Sequence, residues 1–236
     1  MRLTVKKLGD SYKLVYFKFQ SGSCISEDYH GEKDSSSYDF KLDSNLCRAR
    51  SAIREYGLCN PWEYFVTLTL DSQKQDRYSL RTFVRDLGVW IGNYNKKFGC
   101  KLKYLLIPEQ HKDGAWHMHG FFHDVSPDSI VVNSHGYFDM PYYRERFGFI
   151  SLSRIRDNQK CASYITKYVT KSTGEGIDKD KHLYYHSRGL ERAEILGEYV
   201  IKSAPDGVWF NDFVGIQFLN DDDSLAQVLN SLEMLS

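Results

Sequence analysis

The sequence predicts an α+β fold in which a mainly antiparallel sheet of about five strands is flanked by helices. Residues 64–70 alternate aromatic and β-branched side chains, which is typical of a central strand. Residues 76–98 place apolar side chains at i, i+3, i+4 and i+7, the pattern of an amphipathic helix. Two further strands follow, joined by turn-forming residues at 112–115, so the order is strand, helix, strand, strand.

The remaining elements are shorter and organise the chain into a core with two extensions. Strands are predicted at residues 13–19, 101–108, 149–155, 183–186 and 207–219, and helices at 45–57, 158–172 and 222–235. Residues 21–44 are rich in Ser, Asp, Glu and Gly and are interpreted as a mobile connection. The predicted division is an N-terminal strand, loop and helix (1–60), a core (61–175) and a C-terminal extension (176–236) that completes or pads the sheet.

The composition limits the compartment and the mode of binding. Lysine plus arginine and aspartate plus glutamate number 31 each, so attraction to nucleic acid must come from local clustering. Five scattered cysteines without a C-x-x-C pair are typical of reduced thiols in a cytoplasmic protein. No leader segment or run of 18 apolar residues is visible, which argues against a membrane.

The segment IPEQHKDGAWHMHGFF (107–122) concentrates metal-type ligands on a predicted hairpin. His117 and His119 are two residues apart, so in a strand both imidazoles project to one face and Met118 to the other. A lone H-x-H is also compatible with a strand that carries two half-exposed histidines. The neighbouring carboxylate and a second motif favour the metal-site interpretation.

The parity of the hairpin loop decides whether that carboxylate joins the histidines. An odd loop of residues 113–115 would set His111 opposite His117 and Glu109 opposite His119. An even loop would send Glu109 to the wrong face. The predicted metal ligands are therefore Glu109, His117 and His119.

The second motif is a tandem repeat of Tyr-x-x-Lys in residues 161–171. Tyr164 and Tyr168 are four residues apart, as are Lys167 and Lys171. On a helix this spacing puts two phenols on one face, with two ammonium groups beside them. The alternative is an amphipathic helix whose tyrosines only pack.

Together these residues resemble the HUH endonuclease family, and specifically the two-tyrosine rolling-circle replication initiators of small phages and plasmids. A first motif is present as FVTLTL at residues 65–70, and the similarity spans about residues 62–171. The resemblance implies a ferredoxin/RRM-like HUH endonuclease core at 61–175. Three motifs in order are a more specific signal than any one of them.

The resemblance also implies a reaction and its participants. A divalent metal, Mn²⁺ or Mg²⁺, would lie on Glu109, His117 and His119. The catalytic residues would be Tyr164 and Tyr168, which cut single-stranded DNA at a replication origin, with Lys167 and Lys171 beside them. The products would be a 5′-phosphotyrosine and a 3′-hydroxyl primer, rejoined after replication.

The partners follow from the same resemblance. No Walker-type G-x-x-x-x-G-K-[ST] follows the nuclease region, so unwinding is expected from a host helicase and extension from a host DNA polymerase, in the cytoplasm of a bacterial host cell. Three alternatives stay open. They are an iron oxygenase with a facial triad of two histidines and a carboxylate, a non-catalytic DNA-binding or plasmid-control protein, and a mobilisation or transposition nuclease of the same family.

Two other clusters have no assigned role. The arginines at 48, 50 and 54 are expected to be solvated rather than bound to phosphate. The Tyr- and Arg-rich passage at 142–146 suits stacking on unpaired bases about as well as it suits a packed loop.

Overall fold

The computed structural model describes residues 1–18, 35–169, 182–208, 210 and 214–232, with residues 35–44 described by their backbone alone. The chain divides into two compact units, one of residues 1–34 with 191–236 and one of residues 35–190. The boundaries predicted from the sequence lie at 60 and 175. The helix before the predicted core and the short strand after it therefore lie in the larger unit.

The helices and strands of the described residues are labelled here in chain order. They are β1 (Arg2–Leu8), β2 (Ser11–Phe17), α1 (Ser35–Cys59), β3 (Tyr64–Thr69), α2 (Leu80–Phe98), β4 (Lys103–Gln110), β5 (Trp116–His123), β6 (Val131–Val132), β7 (Phe138–Asp139), α3 (Pro141–Arg146), β8 (Ile150–Arg154), α4 (Asn158–Ile165), β9 (Tyr185–His186), β10 (Glu194–Val200), β11 (Val214–Leu219) and α5 (Asp222–Ser231). Short 3₁₀ helices occupy Pro127–Ser129 and Thr166–Tyr168.

The sheet of the larger unit has the order β6-β7-β8-β3-β5-β4-β9, and its neighbouring strands pair antiparallel. This confirms the predicted α+β class with a mainly antiparallel sheet. Seven strands are present where about five were predicted, because β6 and β7 are two-residue strands whose sequence carries no alternating pattern. The hairpin of β4 and β5 lies inside the sheet, as predicted, and β3 flanks it.

Helix α2 covers one face of this sheet. It begins at Ser79, whose side chain accepts a hydrogen bond from the Thr82 N–H, and it ends at Gly99 in the left-handed conformation. Its buried side chains are Leu80, Phe83, Leu87, Trp90, Ile91 and Tyr94. They belong to one apolar core with the inward residues of the strands, including Val66, Leu68 and Met118. Met118 thus points away from the two histidines, as the alternation predicted.

Helices α1 and α4 cover the opposite face. Leu46, Ile53 and Tyr56 of α1 form a second core with Ile107 of β4, Phe121 of β5, and Ile165 and Val169 in and after α4. Ile107 and Phe121 are two residues from Glu109 and His119 respectively, so they share the face of those ligands. The tyrosine-bearing helix therefore packs on the same sheet face as the metal-type side chains.

Helix α1 differs from its prediction at both ends. It begins at Ser35, so residues 35–44 are helical and the prediction of a mobile connection is wrong for them; residues 19–34 lie outside the described part of the chain. Gly57 was predicted to stop the helix, but α1 continues to Cys59. A Cβ on Gly57 would lie 2.8 Å from Cβ of Ala162 in α4. The glycine is needed for the close approach of two helices, which the sequence of one helix cannot reveal.

The smaller unit is a four-stranded antiparallel sheet of order β10-β1-β2-β11 with α5 on it. The apolar side of α5, Leu225, Val228, Leu229 and Leu232, packs against a core that includes Leu3, Val5, Leu14 and Tyr16. Strands β2 and β11 and helix α5 were predicted, with longer limits. Strands β1 and β10 were missed, because charged residues and Gly197 interrupt their apolar pattern.

Two expectations from composition can be compared with the described residues. Among them, no helix is both long enough and apolar enough to cross a bilayer. Cys47, Cys59, Cys100 and Cys161 are free thiols. The fifth cysteine, Cys24, lies outside the described residues.

The contact between α1 and α4 predicts a specific energetic coupling. Gly57→Ala should place a methyl group against Ala162, and such overpacking costs about 1–3 kcal/mol. Ala162→Gly removes the obstructing group, so the double variant should be more stable than the sum of the single effects by about the same amount. Urea unfolding of the four proteins measures this coupling, and helix propensity cancels in the cycle.

Gly88→Ala is the matched control for this prediction. Gly88 lies in α2, and nothing lies within 4 Å of the Cβ it would gain. Its substitution should therefore stabilise the protein by about 0.5–1 kcal/mol. Equal stabilisation by Gly57→Ala would show that the two helices do not approach as closely as described.

Candidate metal and tyrosine site

The β4–β5 hairpin closes one residue earlier than the sequence predicted. The His111 N–H donates to the Ala115 carbonyl at 2.9 Å, and the Gly114 N–H donates to the His111 carbonyl at 2.8 Å, so the loop is residues 112–114. Gly114 has φ +85° and takes the last loop position, where a positive φ is required. The sequence analysis had placed it in the middle of the loop.

The earlier closure shifts the register by two residues. Glu109 lies opposite His117, and Ile107 lies opposite His119. The predicted pairing of Glu109 with His119 is wrong, and so is that of His111 with His117. Because the loop length stays odd, parity is unchanged, and Glu109, His117 and His119 still share one face as predicted.

Glu109 forms the centre of a compact ligand group. Its Oε2 lies 2.7 Å from Nε2 of His119 and 3.8 Å from Nε2 of His111. Among the described residues, Glu109, His111 and His119 are the group of three whose ligand atoms all lie within 4.8 Å of one another. His117 adjoins this group through its ring, which stacks on that of His111 with centroids 3.7 Å apart and an interplanar angle of 4°.

The structure therefore brings all three predicted ligands to one place and adds a fourth residue. His111 was not chosen from the sequence because the predicted register used it only as a partner of His117. Its position two residues after Glu109 was the available signal, since residues i and i+2 of a strand share a face.

Two threonines of β3 orient the imidazoles. Thr67 Oγ1 lies 3.1 Å from Nδ1 of His119, and Thr69 Oγ1 lies 3.1 Å from Nδ1 of His117. With Nδ1–H donating to the hydroxyl, each Nε2 retains its lone pair. Such outer contacts fix the tautomer and ring orientation of metal-binding histidines. The first motif, residues 65–70, had no chemical role in the sequence analysis; strand pairing with β5 supplies one.

Burial keeps the two histidines of β5 neutral at pH 7. Burial, followed by the nearby His111 and His119, lowers the pKa of His117 to about 4. Burial also lowers the pKa of His119, although its hydrogen bond to Glu109 acts in the opposite direction. Neutral imidazole is the form that binds metals.

The tyrosines lie at the end of α4. Asp157 caps this helix by accepting from the Lys160 N–H at 2.9 Å, and the chain tightens into a 3₁₀ turn at Thr166–Tyr168. The prediction of one α-helix over 158–172 is therefore wrong after Ile165, because Tyr168 packs onto the sheet beside β5. Residues 170–172, including Lys171, lie outside the described part of the chain.

The two phenols are close together but have different surroundings. Their hydroxyl oxygens are 3.4 Å apart. The Tyr168 ring stacks on the imidazole of His119 at a centroid distance of 3.9 Å and an angle of 9°. Tyr164 packs edge-on against Phe65 at 5.8 Å and remains 49% exposed. Both tyrosines thus lie on the metal-type face.

Lys167 supplies the positive charge beside them. Its Nζ is 3.5 Å from the ring centroid of Tyr164 and 4.9 Å from that of Tyr168. A hydrogen bond from Lys167, together with that from Tyr168, lowers the pKa of Tyr164. Burial and the hydrogen bond with Tyr164 raise the pKa of Tyr168. The predicted neighbourhood of two tyrosines and a lysine is present.

Arg50 of α1 connects to the tyrosine segment. Its Nε and Nη2 donate to the Val169 carbonyl at 3.0 and 2.6 Å. Arg54 is half-buried, and burial lowers its pKa. The expectation that arginines 48, 50 and 54 are simply solvated is therefore wrong for Arg50 and Arg54, while Arg48 is exposed. The helix pattern could not show this, because the partner carbonyl of Arg50 is 119 residues away in sequence.

The Tyr- and Arg-rich passage forms α3 and packs. Tyr143 is fully buried. Tyr142 lies against Trp90 with centroids 5.6 Å apart, and Lys97 lies over its ring at 4.5 Å. The packed alternative therefore holds for both tyrosines.

Comparison with known proteins agrees with the position of this site. Residues 63–173 match the family model for replication-associated proteins of the ORF2 type, which is just under half of the 236 residues. This region is similar to a replication-associated protein. It contains the β4–β5 hairpin, the paired tyrosines and Lys167, so the similarity supports a role in DNA replication for the part of the chain that carries the site. No curated protein and no solved structure gave a significant match.

Arg50 should act as a positioning residue for the tyrosines. Arg50→Ala leaves the Val169 carbonyl without its guanidinium partner, and Val169 is fully buried. An unsatisfied buried carbonyl costs about 1–3 kcal/mol, so amide hydrogen exchange should accelerate at residues 164–169. Arg81→Ala, which removes an exposed arginine of α2, should leave that exchange unchanged. Equal protection in both variants would show that the contact does not hold the segment.

Proposed function

We propose that this protein nicks single-stranded DNA at a replication origin by metal-dependent tyrosine transesterification and rejoins the ends after rolling-circle replication. The observation that carries the proposal is the stacking of Tyr168 on His119, whose Nε2 in turn contacts Glu109. This contact joins a nucleophile-type side chain to a ligand group. The match to the replication-associated protein family supports the same substrate class.

The donor set fits a divalent cation. Glu109, His117 and His119 are the proposed ligands, and His111 adds a further imidazole beside the same carboxylate. Mixed imidazole and carboxylate ligation suits Mn²⁺, with Mg²⁺ as the abundant alternative. When bound, the cation would polarise the scissile phosphate and neutralise negative charge on its oxygens. Thr67 and Thr69 hold the imidazoles in orientation.

The tyrosines carry the covalent step. The phenolic oxygen of Tyr164 or Tyr168 attacks phosphorus, a P–O bond to tyrosine forms, and the bond from phosphorus to the 3′ oxygen breaks. The proton lost by the phenol is balanced by the one that the leaving 3′ oxygen gains. Ionising a phenol with pKa of about 10 at pH 7 costs about 4 kcal/mol, and the ammonium group of Lys167 offsets part of this cost. Lys171 is proposed to assist in the same way.

Two nucleophiles suit a complete replication cycle on one subunit. One tyrosine holds the first 5′ end while the 3′-hydroxyl is extended by a host DNA polymerase behind a host helicase. The second tyrosine then cuts the regenerated origin, and the released 3′-hydroxyl attacks the first phosphotyrosine to join the ends. The 3.4 Å separation of the two hydroxyl oxygens supports this division of labour, since one phosphate position is accessible to both.

The ligand assignment predicts how metal affinity responds to substitution. Glu109→Ala and His119→Ala should weaken Mn²⁺ binding most, because these residues contact each other directly. The loss should be at least the 10- to 100-fold that removal of an outer contact typically costs. Titration calorimetry without DNA measures the affinity, and His135→Ala, in an exposed loop, is the control.

His111→Ala and His117→Ala should each weaken Mn²⁺ binding as well, and His117→Ala and His119→Ala should abolish nicking while leaving much of the single-strand binding intact. Metal affinity that resists all four substitutions would place the cation elsewhere. Nicking that survives loss of the cation would overturn the metal-dependent mechanism.

The paired tyrosines predict distinct phenotypes for their phenylalanine variants. Each single variant, Tyr164→Phe or Tyr168→Phe, should retain some first-strand cleavage, and only the double variant should be inactive. Tyr164→Phe should lose more of the first cut, since Tyr164 is the more exposed phenol. Incubation with a single-stranded oligonucleotide library and Mn²⁺, followed by mass spectrometry of DNA-linked peptides, identifies the nucleophile.

An adduct at only one of the two positions would refute the two-nucleophile cycle while leaving the endonuclease assignment intact. A complete cleave-and-rejoin assay is the stricter comparison, because both phenols are needed in it. Retention of single-strand binding without any adduct on wild-type protein would favour the non-catalytic DNA-binding alternative.

A further inference from the structure

An exposed phenylalanine is aligned with the metal-type residues across the sheet. The Thr69 N–H donates to the Phe149 carbonyl at 2.9 Å, which extends the β3–β8 pairing one step beyond Leu68 and Ile150. Phe149 is therefore opposite Thr69, and opposed residues share a face. Thr69 is paired with His117, and His117 with Glu109. Phe149 thus ends a transverse row that contains two of the proposed ligands.

The same face of β8 remains uncovered beyond this row. Ser151 and Ser153 alternate with the buried Ile150 and Leu152, so the two serines face the side of Phe149. Both serines are exposed, and Phe149 itself is 61% exposed. The next strands are covered at the corresponding level, where Phe65 and Phe121 belong to the core under α1 and α4. Helix α4 thus leaves a strip along β8 open, over about 13 Å.

The chemistry of the strip suits an unpaired nucleic acid strand. An exposed aromatic ring stacks on any base, and serine hydroxyls hydrogen-bond sugar and phosphate oxygens. The protein has no net charge, so phosphate attraction alone contributes little to binding. Stacking is then the interaction with the larger share. The strip is continuous with the proposed cleavage site, and this continuity favours DNA over another protein as its occupant.

We propose that the β8 strip, defined as Phe149, Ser151 and Ser153, binds the single-stranded substrate, with Phe149 stacking on one base next to the scissile phosphate. The identity of the strand as DNA rests on the proposed function. The strip itself rests on the register, the alternation and the exposure of β8. Phe149 is a substrate-positioning residue that touches the base, and it takes no part in bond cleavage.

The test compares binding of two 12-residue oligomers in EDTA, where no cleavage occurs. One is oligodeoxythymidylate, and the other has the same backbone with every base removed. Fluorescence anisotropy should show that Phe149→Ala weakens binding of oligodeoxythymidylate by roughly 5- to 150-fold, the range for loss of one stacked base. Binding of the abasic oligomer should stay as in the wild type, and Phe149→Trp should retain the preference for bases.

Tyr137→Ala is the matched control, because Tyr137 is 70% exposed and lies on the loop between β6 and β7, away from the row of His117. It should bind both oligomers like the wild type. The proposal is overturned if Phe149→Ala binds oligodeoxythymidylate like the wild type, if it loses the same factor for the abasic oligomer, or if Tyr137→Ala loses as much.

The result separates this proposal from the cleavage mechanism. Base-dependent binding through Phe149 without any tyrosine adduct would refute the nuclease function and leave the β8 strip standing. An adduct formed equally well by Phe149→Ala and wild type, with base-independent binding, would do the reverse. A thermal unfolding curve for each variant confirms that the folded protein is compared.

Discussion

The arrangement of the whole site depends on the alignment of β5 between β4 and β3. Backbone hydrogen bonds on both edges of β5 hold His117 and His119 opposite Glu109 and Ile107 on one side, and opposite Thr69 and Thr67 on the other. A slip by one residue would turn every one of these side chains to the other face, where α2 packs. The apolar residues that alternate with the ligands resist such a slip, since Met118 and Phe122 would lose their core.

The tyrosines reach this face through helix packing rather than through the sheet. Gly57 allows α1 and α4 to approach so closely that a Cβ between them would be 2.8 Å from Ala162. Arg50 then connects α1 to the Val169 carbonyl just beyond Tyr168. Packing at one end and a charge-assisted hydrogen bond at the other hold the segment against β5. The ring of Tyr168 consequently lies on His119, in the same aromatic layer as the ligands.

The electrostatics of the site are local. With 31 acidic and 31 basic residues, the protein has no long-range field to draw in a polyanion. One lysine lies beside both phenols, and one carboxylate lies among three imidazoles. Burial favours neutral histidines, which leaves Glu109 as the negative ligand of the group. A cation and a phosphate would therefore complete a charge pattern that the side chains alone leave unfinished.

The sequence by itself determined the α+β class, the shared face of Glu109, His117 and His119, and the proximity of Tyr164, Lys167 and Tyr168. These follow from periodicity, because a strand repeats every two residues and a helix every 3.6. Parity survives a register error of two, which is why Glu109 was placed on the correct face through the wrong partner.

Tertiary structure alone decided which groups touch. The place of Gly114 in its loop brought His111 to Glu109, and pairing with β3 gave Thr67 and Thr69 their roles. The functions of Gly57 and Arg50 depend on Ala162 and Val169, which are more than 100 residues away in sequence. Local patterns carry no information about such distant partners, since the free energy of these contacts arises only when the helices pack on the sheet.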